Sequence, residues 1–251
     1  MDKLLQLLAR NKGHGRAHAL VALNEAADEA TVYLYDYIVR TAAEAEWLGG
    51  VAAETIAKEL RGITASTIHL RINSPGGDVF GAQAIAQALR DSKARVIAHV
   101  DGIAASAATV IAIAADEVEI AQGGMFMVHR AWSFAVGNTN DMLDAAALLD
   151  KVDGTLAAQY AARTGEDQAS MLEVMDAETW MTAEEAVDAK FVDRIAEAPE
   201  AKALAKWDLS AYAKAPASAA APALAAPELQ SDDHRVRQQQ RMARMRLGAL
   251  A

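Results

Sequence analysis

Segments with the composition of buried strands alternate along this chain with segments whose apolar residues recur at helical spacing. Strands are predicted at 31–36, 66–72, 94–100 and 117–120, and helices at 51–60, 79–90, 141–162 and from Ser106 onward. Strands separated by helices of about 10–15 residues are typical of βαβ units, which build a largely parallel sheet. The sequence therefore predicts an α/β fold, with functional residues in the loops at the carboxyl ends of the strands.

The chain divides into three regions by composition. Residues 1–30 are partly polar and are predicted to be helical, and the region 31–196 carries the alternating pattern of a folded domain. From 197 to 251 the character changes, because 214–227 is nearly all Ala and Pro and is followed by a tail with several arginines. We interpret this last region as a flexible linker and a basic tail. The tail is most simply a solvated helix or a disordered arm, with a contact to an acidic partner as the alternative.

Composition excludes several classes of function. The formal net charge of −10 argues against a nucleic-acid partner, because phosphate contacts need clustered Lys and Arg. The absence of cysteine excludes disulfides, thiol catalysis and thiolate metal sites, and we expect neither a metal nor a cofactor. The apolar stretch 96–115 is interrupted by His99, Asp101 and Gly102, which indicates a strand, a turn and a helix. With no evident signal peptide, we expect a cytoplasmic protein without a membrane partner.

Three separated pieces of sequence supply the parts of an acyl-transfer site. The run NSPGG at 73–77 ends a predicted strand, Ser106 follows Gly77 by 29 residues, and His129 follows Ser106 by 23. A serine hydroxyl is a weak nucleophile at neutral pH and needs a base within hydrogen-bonding reach. Of the six histidines, three lie in the N-terminal segment or the tail, and His69 and His99 lie inside predicted strands. His129 is the remaining candidate for the base.

Backbone donors for a developing oxyanion are available beside these residues. Gly76 and Gly77 have no Cβ and can bring backbone close to a substrate, and the N–H of Ala107 follows the nucleophile at a helix start. The residues alone leave two plainer interpretations open. The glycine pair can be an ordinary turn, and Ser106 can be a small residue at a close helix contact.

The segment from about 31 to 193 resembles the proteolytic subunit of the Clp protease. The resemblance is carried by INSPGGDV at 72–79, GIAASA at 102–107, MVH at 127–129, MTAEEAV at 181–187 and FVD at 191–193. It implies a ClpP/crotonase-like fold with a helical handle region, a Ser-His-acid triad and self-assembly into rings. It also implies that Ser106 is the nucleophile, that His129 is the general base, and that the N–H groups of Gly77 and Ala107 form the oxyanion hole.

The third member of the triad is where this sequence departs from the family. The family has an aspartate shortly before an aromatic residue and a helix-opening Ser or Thr, whereas 176–182 reads DAETWMT here. Thr182 is predicted to open a helix in a capping box with Glu185. An ungapped count back from Thr182 assigns Glu178 as the acid, and glutamate can orient an imidazole as aspartate does. Asp176 would take the role if the loop shifts by two residues. A third possibility is that both carboxylates are only charges near a helix start.

A narrower resemblance rests on YLYDYI at 33–38, on ETW at 178–180 and on the extended C-terminal tail. These features are similar to the Clp-related head maturation proteases of tailed bacteriophages and prophages. The resemblance implies a serine endopeptidase that processes phage scaffold and capsid proteins in the cytoplasm of the host cell. Two alternatives belong to other classes: a crotonase-type acyl-CoA enzyme and a non-catalytic ring or scaffold component. The Ser106–His129 pair argues against the acyl-CoA enzyme, since hydratases of that fold typically use carboxylates.

Overall fold

The computed structural model describes residues 21–24, 26–197 and 207–216, which belong to one compact unit. Ten strands are present in this part: β1 Val21–Asn24, β2 Glu29–Leu34, β3 Ile38–Val39, β4 Val51–Ala52, β5 Thr67–Ser74, β6 Arg95–Ala105, β7 Glu117–Ile120, β8 Met125–Val128, β9 Thr179–Thr182 and β10 Arg194–Ile195. The same part contains seven helices: α1 Ala42–Leu48, α2 Ala53–Gly62, α3 Val79–Arg90, α4 Ala107–Ala112, α5 Thr139–Thr164, α6 Gln168–Asp176 and α7 Ala183–Asp188.

Eight of the strands form one sheet in the order β1-β2-β5-β6-β7-β10, with β8 paired to β6 and β9 paired to β8. The pairs are parallel except β1 with β2 and β8 with β9. Burial alternates along β2, where Val32 and Leu34 are buried in the core and Tyr33 is half-buried on the other face. The core-facing side chains of the sheet pack against helices such as α2 and α3, whose buried residues include Ile56 and Ile85. The predicted α/β fold with a largely parallel sheet is confirmed.

The long strand β6 changes its neighbour part-way along its length. Residues 97–100 pair with β7 and residues 103–105 pair with β8, while β5 lies on the other side. The sequence predicted that this strand would end at Val100 before a turn at Gly102, and that prediction is wrong. Ladder pairing up to Val100 and again from Ile103 holds the backbone in strand conformation across Gly102, with a shift of register against β5 between these stretches. Because β6 and β8 are parallel neighbours, their carboxyl ends lie side by side.

Helix α5 belongs to the core along only half of its length. Its first fourteen residues carry no buried side chain, whereas Asp153, Leu156 and Tyr160 in its second half are buried. The helix begins with a capping box at Asn138 and ends at Gly165 in a left-handed conformation. Within the described residues, no helix is long and apolar enough to cross a membrane.

The predicted helical character of 1–30 is wrong for its last ten residues. Residues 21–24 form β1, a turn follows, and β2 begins at Glu29. Val21 pairs with Val32 in an antiparallel ladder, so the edge of the sheet offers this stretch backbone partners that outweigh the helix propensity of its alanines. Residues 1–20 lie outside the described residues.

The sequence predicts that the folded domain ends at residue 196, but a segment after that residue also packs against the domain. Residues 207–216, which we call the C-terminal segment, bury Trp207, Leu209 and Tyr212 against the domain. These large apolar side chains gain free energy by leaving water, which the linker interpretation of 197–251 overlooked. The rest of the predicted linker, 217–227, and the basic tail beyond it lie outside the described residues.

Candidate active site

Ser106 stands at the junction of β6 and α4, in a backbone conformation that is uncommon for a serine. Its φ is 55° and its ψ is −127°, a strained arrangement of a kind that costs on the order of 1–3 kcal/mol. Two hydrogen bonds hold it there: the Ser106 N–H donates to the Met127 carbonyl at 2.8 Å, and the Ser106 carbonyl accepts from the Thr109 hydroxyl at 2.6 Å. A sharp strand-to-helix turn of this type exposes a nucleophile at the end of a sheet.

The imidazole of His129 reaches this serine directly. His129 Nε2 lies 2.8 Å from Ser106 Oγ, the distance expected for a base that activates a nucleophile. His129 directly follows β8, so parallel pairing with β6 sets its place beside Ser106. Two residues later the Ala131 N–H donates to the buried carboxylate of Asp153 on α5 at 2.7 Å. The chain on both sides of the imidazole is therefore anchored.

The other two histidines of the described region lie on the sheet, as predicted. Ring nitrogens of His69 on β5 and His99 on β6 are 2.9 Å apart, and His99 also bonds to the Glu119 carboxylate. Burial lowers the pKa of His99, although Glu119 opposes this shift. The rings of His69 and His99 bond to each other and to Glu119 on the sheet, whereas the ring of His129 bonds to the nucleophile.

Gly76 and Gly77 bring the turn after β5 against the nucleophile. Their φ values are 98° and 142°, and a Cβ on Gly76 would lie 2.8 Å from Ser106 Cβ. A Cβ on Gly77 would lie 2.2 Å from the Ile38 carbonyl oxygen, so neither position accepts a side chain. Ile38 donates to the Gly76 carbonyl at 2.8 Å and accepts from the Asp78 N–H at 2.9 Å. The Gly76 carbonyl and the Gly77 N–H belong to one trans peptide group and point in opposite directions, so the Gly77 N–H points away from Ile38.

Helix α4 begins directly after the nucleophile. Ala107 is its first residue, and the N–H groups of a first helical turn have no partner within the helix. The Ala107 nitrogen lies 3.2 Å from the point where a Gly76 Cβ would stand, which puts this donor beside the glycine turn. The Thr109 hydroxyl that holds the Ser106 carbonyl also bonds to the buried Tyr160 hydroxyl of α5 at 2.7 Å. Burial raises the pKa of Tyr160 to about 12, so its phenol stays protonated.

The two carboxylates considered for the third position have different surroundings. Asp176 faces Arg130, whose Nε and a terminal nitrogen lie 2.7 and 2.9 Å from its two oxygens, and its side chain is 60% exposed. The half-buried Glu178 carboxylate accepts from the indole N–H of Trp180 at 3.3 Å and from the backbone N–H groups of Ala213 at 3.0 Å and Lys214 at 2.6 Å. Glu178 thus bonds to the C-terminal segment, whereas Asp176 forms an ion pair with Arg130.

Tyr212 of the C-terminal segment lies over the Ser106–His129 pair. Its ring meets the imidazole of His129 edge-on at a centroid distance of 5.3 Å, and it contacts Trp132 and Trp180 at 5.3 and 5.7 Å. Its hydroxyl donates to the Pro75 carbonyl. Burial raises the pKa of the Tyr212 phenol, and a hydrogen bond with Ser106 opposes that rise.

The model of the Clp protease family matches residues 23–199 of this sequence. The chain belongs to the Clp protease family. ATP-dependent Clp protease proteolytic subunits from several strains of Streptococcus pneumoniae are 32% identical over 132 residues, which cover 51% of this chain and 67% of theirs. A solved ClpP1 mutant from Listeria monocytogenes, 24% identical, has a TM-score of 0.57 and is similar over 67% of this chain and 91% of that one. The ClpP-like fold predicted from the motifs is confirmed.

Membership of the Clp protease family indicates a serine-type peptidase. Members of this family assemble into rings and act on protein substrates. The family assignment favours peptide-bond hydrolysis over both alternatives from the sequence, the acyl-CoA enzyme and the non-catalytic ring component. Within the described residues, no group of three or more His, Asp or Glu side chains is arranged to hold a metal ion.

Sequence reasoning missed several residues around the Clp-type site. Thr109 and Tyr160 support the turn at Ser106, and Trp132 and Tyr212 line the space in front of it. A signal for Tyr212 was present, since Trp207 and Tyr212 are large aromatic residues in a region otherwise dominated by Ala, Lys and Pro. Flexible linkers are poor in large aromatic residues, so the presence of these two side chains indicates that the stretch packs against a folded core.

Proposed function

We propose that this chain is a serine endopeptidase whose catalytic residues are Ser106, His129 and Glu178. The observation that carries the proposal is the 2.8 Å contact between His129 Nε2 and Ser106 Oγ on a strained strand-to-helix turn. His129 takes the hydroxyl proton while Ser106 Oγ forms a bond to the carbonyl carbon of the scissile peptide. The imidazolium then gives that proton to the leaving amine as the C–N bond breaks. Water, deprotonated by the same imidazole, hydrolyses the acyl-enzyme.

The N–H groups of Gly77 and Ala107 are the proposed oxyanion hole. Two observations support this assignment: the Gly77 N–H points away from its neighbour on β3, and Ala107 opens a helix directly after the nucleophile. Donors aimed at the developing negative charge are worth roughly 3–4 kcal/mol each in such sites. The requirement for glycine at 76 and 77 is explained by the closeness of this turn to Ser106 and Ile38.

Glu178 is the proposed acid of the triad. The ungapped spacing to Thr182 supports it, together with the capping box of Thr182 and Glu185 at the start of α7. The Glu178 carboxylate lies beside Tyr212, whose ring contacts the imidazole of His129. Asp176, by contrast, has both oxygens paired with Arg130.

A serine-directed fluorophosphonate tests the catalytic assignment without knowledge of the substrate. The wild-type chain should be labelled at Ser106, and Ser106→Ala should not be labelled. His129→Ala should react at least about 10⁴-fold more slowly, because the hydroxyl loses its base. His69→Ala and His99→Ala are matched controls that should react at the wild-type rate. Labelling that survives in folded Ser106→Ala, or an unchanged rate in His129→Ala, would overturn the proposal.

The proposed biological role is the processing of phage scaffold and capsid proteins in the host cytoplasm. It rests on the similarity of YLYDYI at 33–38 and ETW at 178–180 to head maturation proteases. Co-expression with the capsid and scaffold proteins of a tailed phage should shorten them with the wild-type chain but not with Ser106→Ala. If those proteins stay intact while a peptide is cleaved, the role is wrong and the peptidase assignment stands.

Self-assembly into rings is part of the same proposal. It is supported by the family and by the exposed first half of α5, where the side chains of Leu143 and Leu148 are 63% and 55% exposed. Phe134 in the preceding loop is 68% exposed as well. Sedimentation of the full chain should give a multiple of 26.6 kDa, and the mass of a single chain would contradict the ring.

A further inference from the structure

The C-terminal segment lies where a substrate of the proposed peptidase must bind. Tyr212 is 5% exposed, its ring contacts the imidazole of His129 that bonds to Ser106, and its hydroxyl donates to the Pro75 carbonyl. Pro75 directly precedes the glycine turn that would bind the oxyanion. No peptide carbonyl can reach Ser106 while the phenol of Tyr212 occupies this position, because two groups cannot share one space.

The segment also engages the proposed acid of the triad. The backbone N–H groups of Ala213 and Lys214 donate to the two oxygens of Glu178, and the Lys214 ammonium donates to the Ala177 carbonyl. A carboxylate that accepts two such N–H groups has fewer lone pairs left for an imidazole. The same ten residues therefore cover the nucleophile and bind the acid.

The remaining contacts of the segment are buried apolar side chains and a side-chain hydrogen bond. The indole of Trp207 donates to Asn73 at 3.1 Å, and Leu209 is fully buried beside Met127 and Ile103. Regular secondary structure does not tie it to the sheet, since residues 207–216 belong to none of the described strands or helices. An internal turn, in which the Tyr212 N–H donates to the Leu209 carbonyl at 2.9 Å, shapes the segment, and buried side chains with a few hydrogen bonds hold it on the domain.

We propose that the C-terminal segment is an intramolecular inhibitor of this peptidase, and that the pocket filled by Tyr212 is the site for an aromatic side chain of the substrate. The pocket is formed by the imidazole of His129 and the indoles of Trp132 and Trp180, which suit an aromatic ring with a polar tip. The segment blocks the site without being cleaved there, because it presents a phenol to Ser106 and not a carbonyl carbon. The inference rests on the proposed function, since it assumes that Ser106 is the nucleophile.

The test compares fluorophosphonate labelling rates of Ser106 in full-length variants. Tyr212→Ala should raise the rate at least about tenfold over wild type, because a site that is covered nine-tenths of the time reacts at one-tenth of its intrinsic rate. Tyr212→Phe, which keeps the ring and loses the hydroxyl contact to Pro75, should give a smaller rise. The same two substitutions at Tyr33, a half-buried tyrosine on β2, are the matched controls and should leave the rate unchanged. The far-ultraviolet circular dichroism of each variant reports whether it is folded.

A synthetic peptide with the sequence of residues 207–216 provides the second measurement. It should slow the labelling of Tyr212→Ala in a dose-dependent way, and the same peptide with alanine in place of the tyrosine should not. It should hardly affect the wild type, because the tethered segment has a local concentration of about 1 mM and outcompetes the added peptide.

The outcomes separate this inference from the proposed function. If wild type and folded Tyr212→Ala are both labelled at Ser106 at the same rate, the segment is no inhibitor although Ser106 is the nucleophile. If Tyr212→Ala or Tyr212→Phe reacts more slowly than wild type, the segment positions Glu178 for catalysis and the inhibitor proposal is wrong. If neither wild type nor folded Tyr212→Ala is labelled, the proposed function falls and the inference falls with it.

Discussion

Two regions meet at Ser106, and they are held in the protein in different ways. One is the catalytic framework, which we define as the glycine turn at 76–77, the end of β6 with Ser106, and the end of β8 with His129. It is secured by parallel strand pairing and by a core in which Ala104, Ala105, Phe126 and Val128 are fully buried. The other is the C-terminal segment, which has no strand pairing and is held by the burial of Trp207, Leu209 and Tyr212 and by a small number of hydrogen bonds.

This difference indicates how the two regions can move. The backbone positions of Ser106 and His129 cannot move apart without breaking the ladder between β6 and β8, and buried strand ladders belong to the most stable parts of a fold. The C-terminal segment can leave without disturbing the sheet, because no strand pairing is lost. Changes in the framework should therefore lower activity, and changes in the segment should raise it.

Glu178 bonds to the C-terminal segment and is the proposed acid for His129 of the framework, so its substitution gives the largest test of this contrast. Glu178→Gln should lower the turnover of an unfolded protein such as casein by about 10⁴, since an amide no longer stabilises the imidazolium formed at His129. The amide also repels one of the two backbone N–H groups from Ala213 and Lys214, which should loosen the segment. If turnover falls although the C-terminal segment is bound less tightly, the loss of the catalytic acid has a larger effect on the rate than the relief of inhibition.

Asp176→Asn is the matched control for this prediction. Its carboxylate pairs with Arg130, so the amide should change turnover far less than Glu178→Gln does. If Asp176→Asn is the impaired variant, the register of the loop is wrong by two residues. If both variants keep wild-type turnover, the enzyme works with Ser106 and His129 alone.

The contrast between the regions also explains how far the sequence could predict them. Ser106 and His129 follow apolar strands with local motifs, so pattern and family resemblance were enough to choose them. The extension of β6 past Gly102 was missed because glycine indicates a turn only where no partner strand is available. Trp207 bonds to Asn73, 134 positions earlier in the chain, and Tyr212 bonds to Pro75, 137 positions earlier. No local periodicity reports contacts of that range, so the segment was interpreted as a linker.

Asp36 lies before β3, and its substitution changes the stability of the domain without a substitution in the C-terminal segment. It is 2% exposed, and burial raises its pKa from 3.8 to about 6, although the Tyr37 N–H opposes the rise. Because the folded state holds this proton more tightly than the unfolded state, its contribution to stability is lost as pH rises from about 4 to about 6. The loss amounts to at most about 3 kcal/mol. Asp36→Asn should therefore gain stability relative to wild type as pH increases.

Urea unfolding at about pH 4 and about pH 7.5 measures this effect. The difference in unfolding free energy between Asp36→Asn and wild type should be more favourable to the variant at the higher pH. The Ser106 labelling rate at neutral pH should not change, because a more stable domain does not displace the C-terminal segment. An equal difference at both pH values would show that Asp36 does not titrate between them.

The smallest expected effect lies in the C-terminal segment itself. Trp207→Phe keeps an aromatic ring in the buried site but removes the indole N–H that donates to Asn73. A hydrogen bond of this kind contributes about 1 kcal/mol net, which corresponds to about a fivefold shift in the balance between the bound and released segment. The labelling rate of Ser106 should thus rise about fivefold, less than with Tyr212→Ala. Trp47→Phe, at a tryptophan that is 76% exposed on α1, is the matched control and should have no effect. A rate lowered by Trp207→Phe would mean that the segment supports catalysis as the framework does, and the contrast between the two regions would disappear.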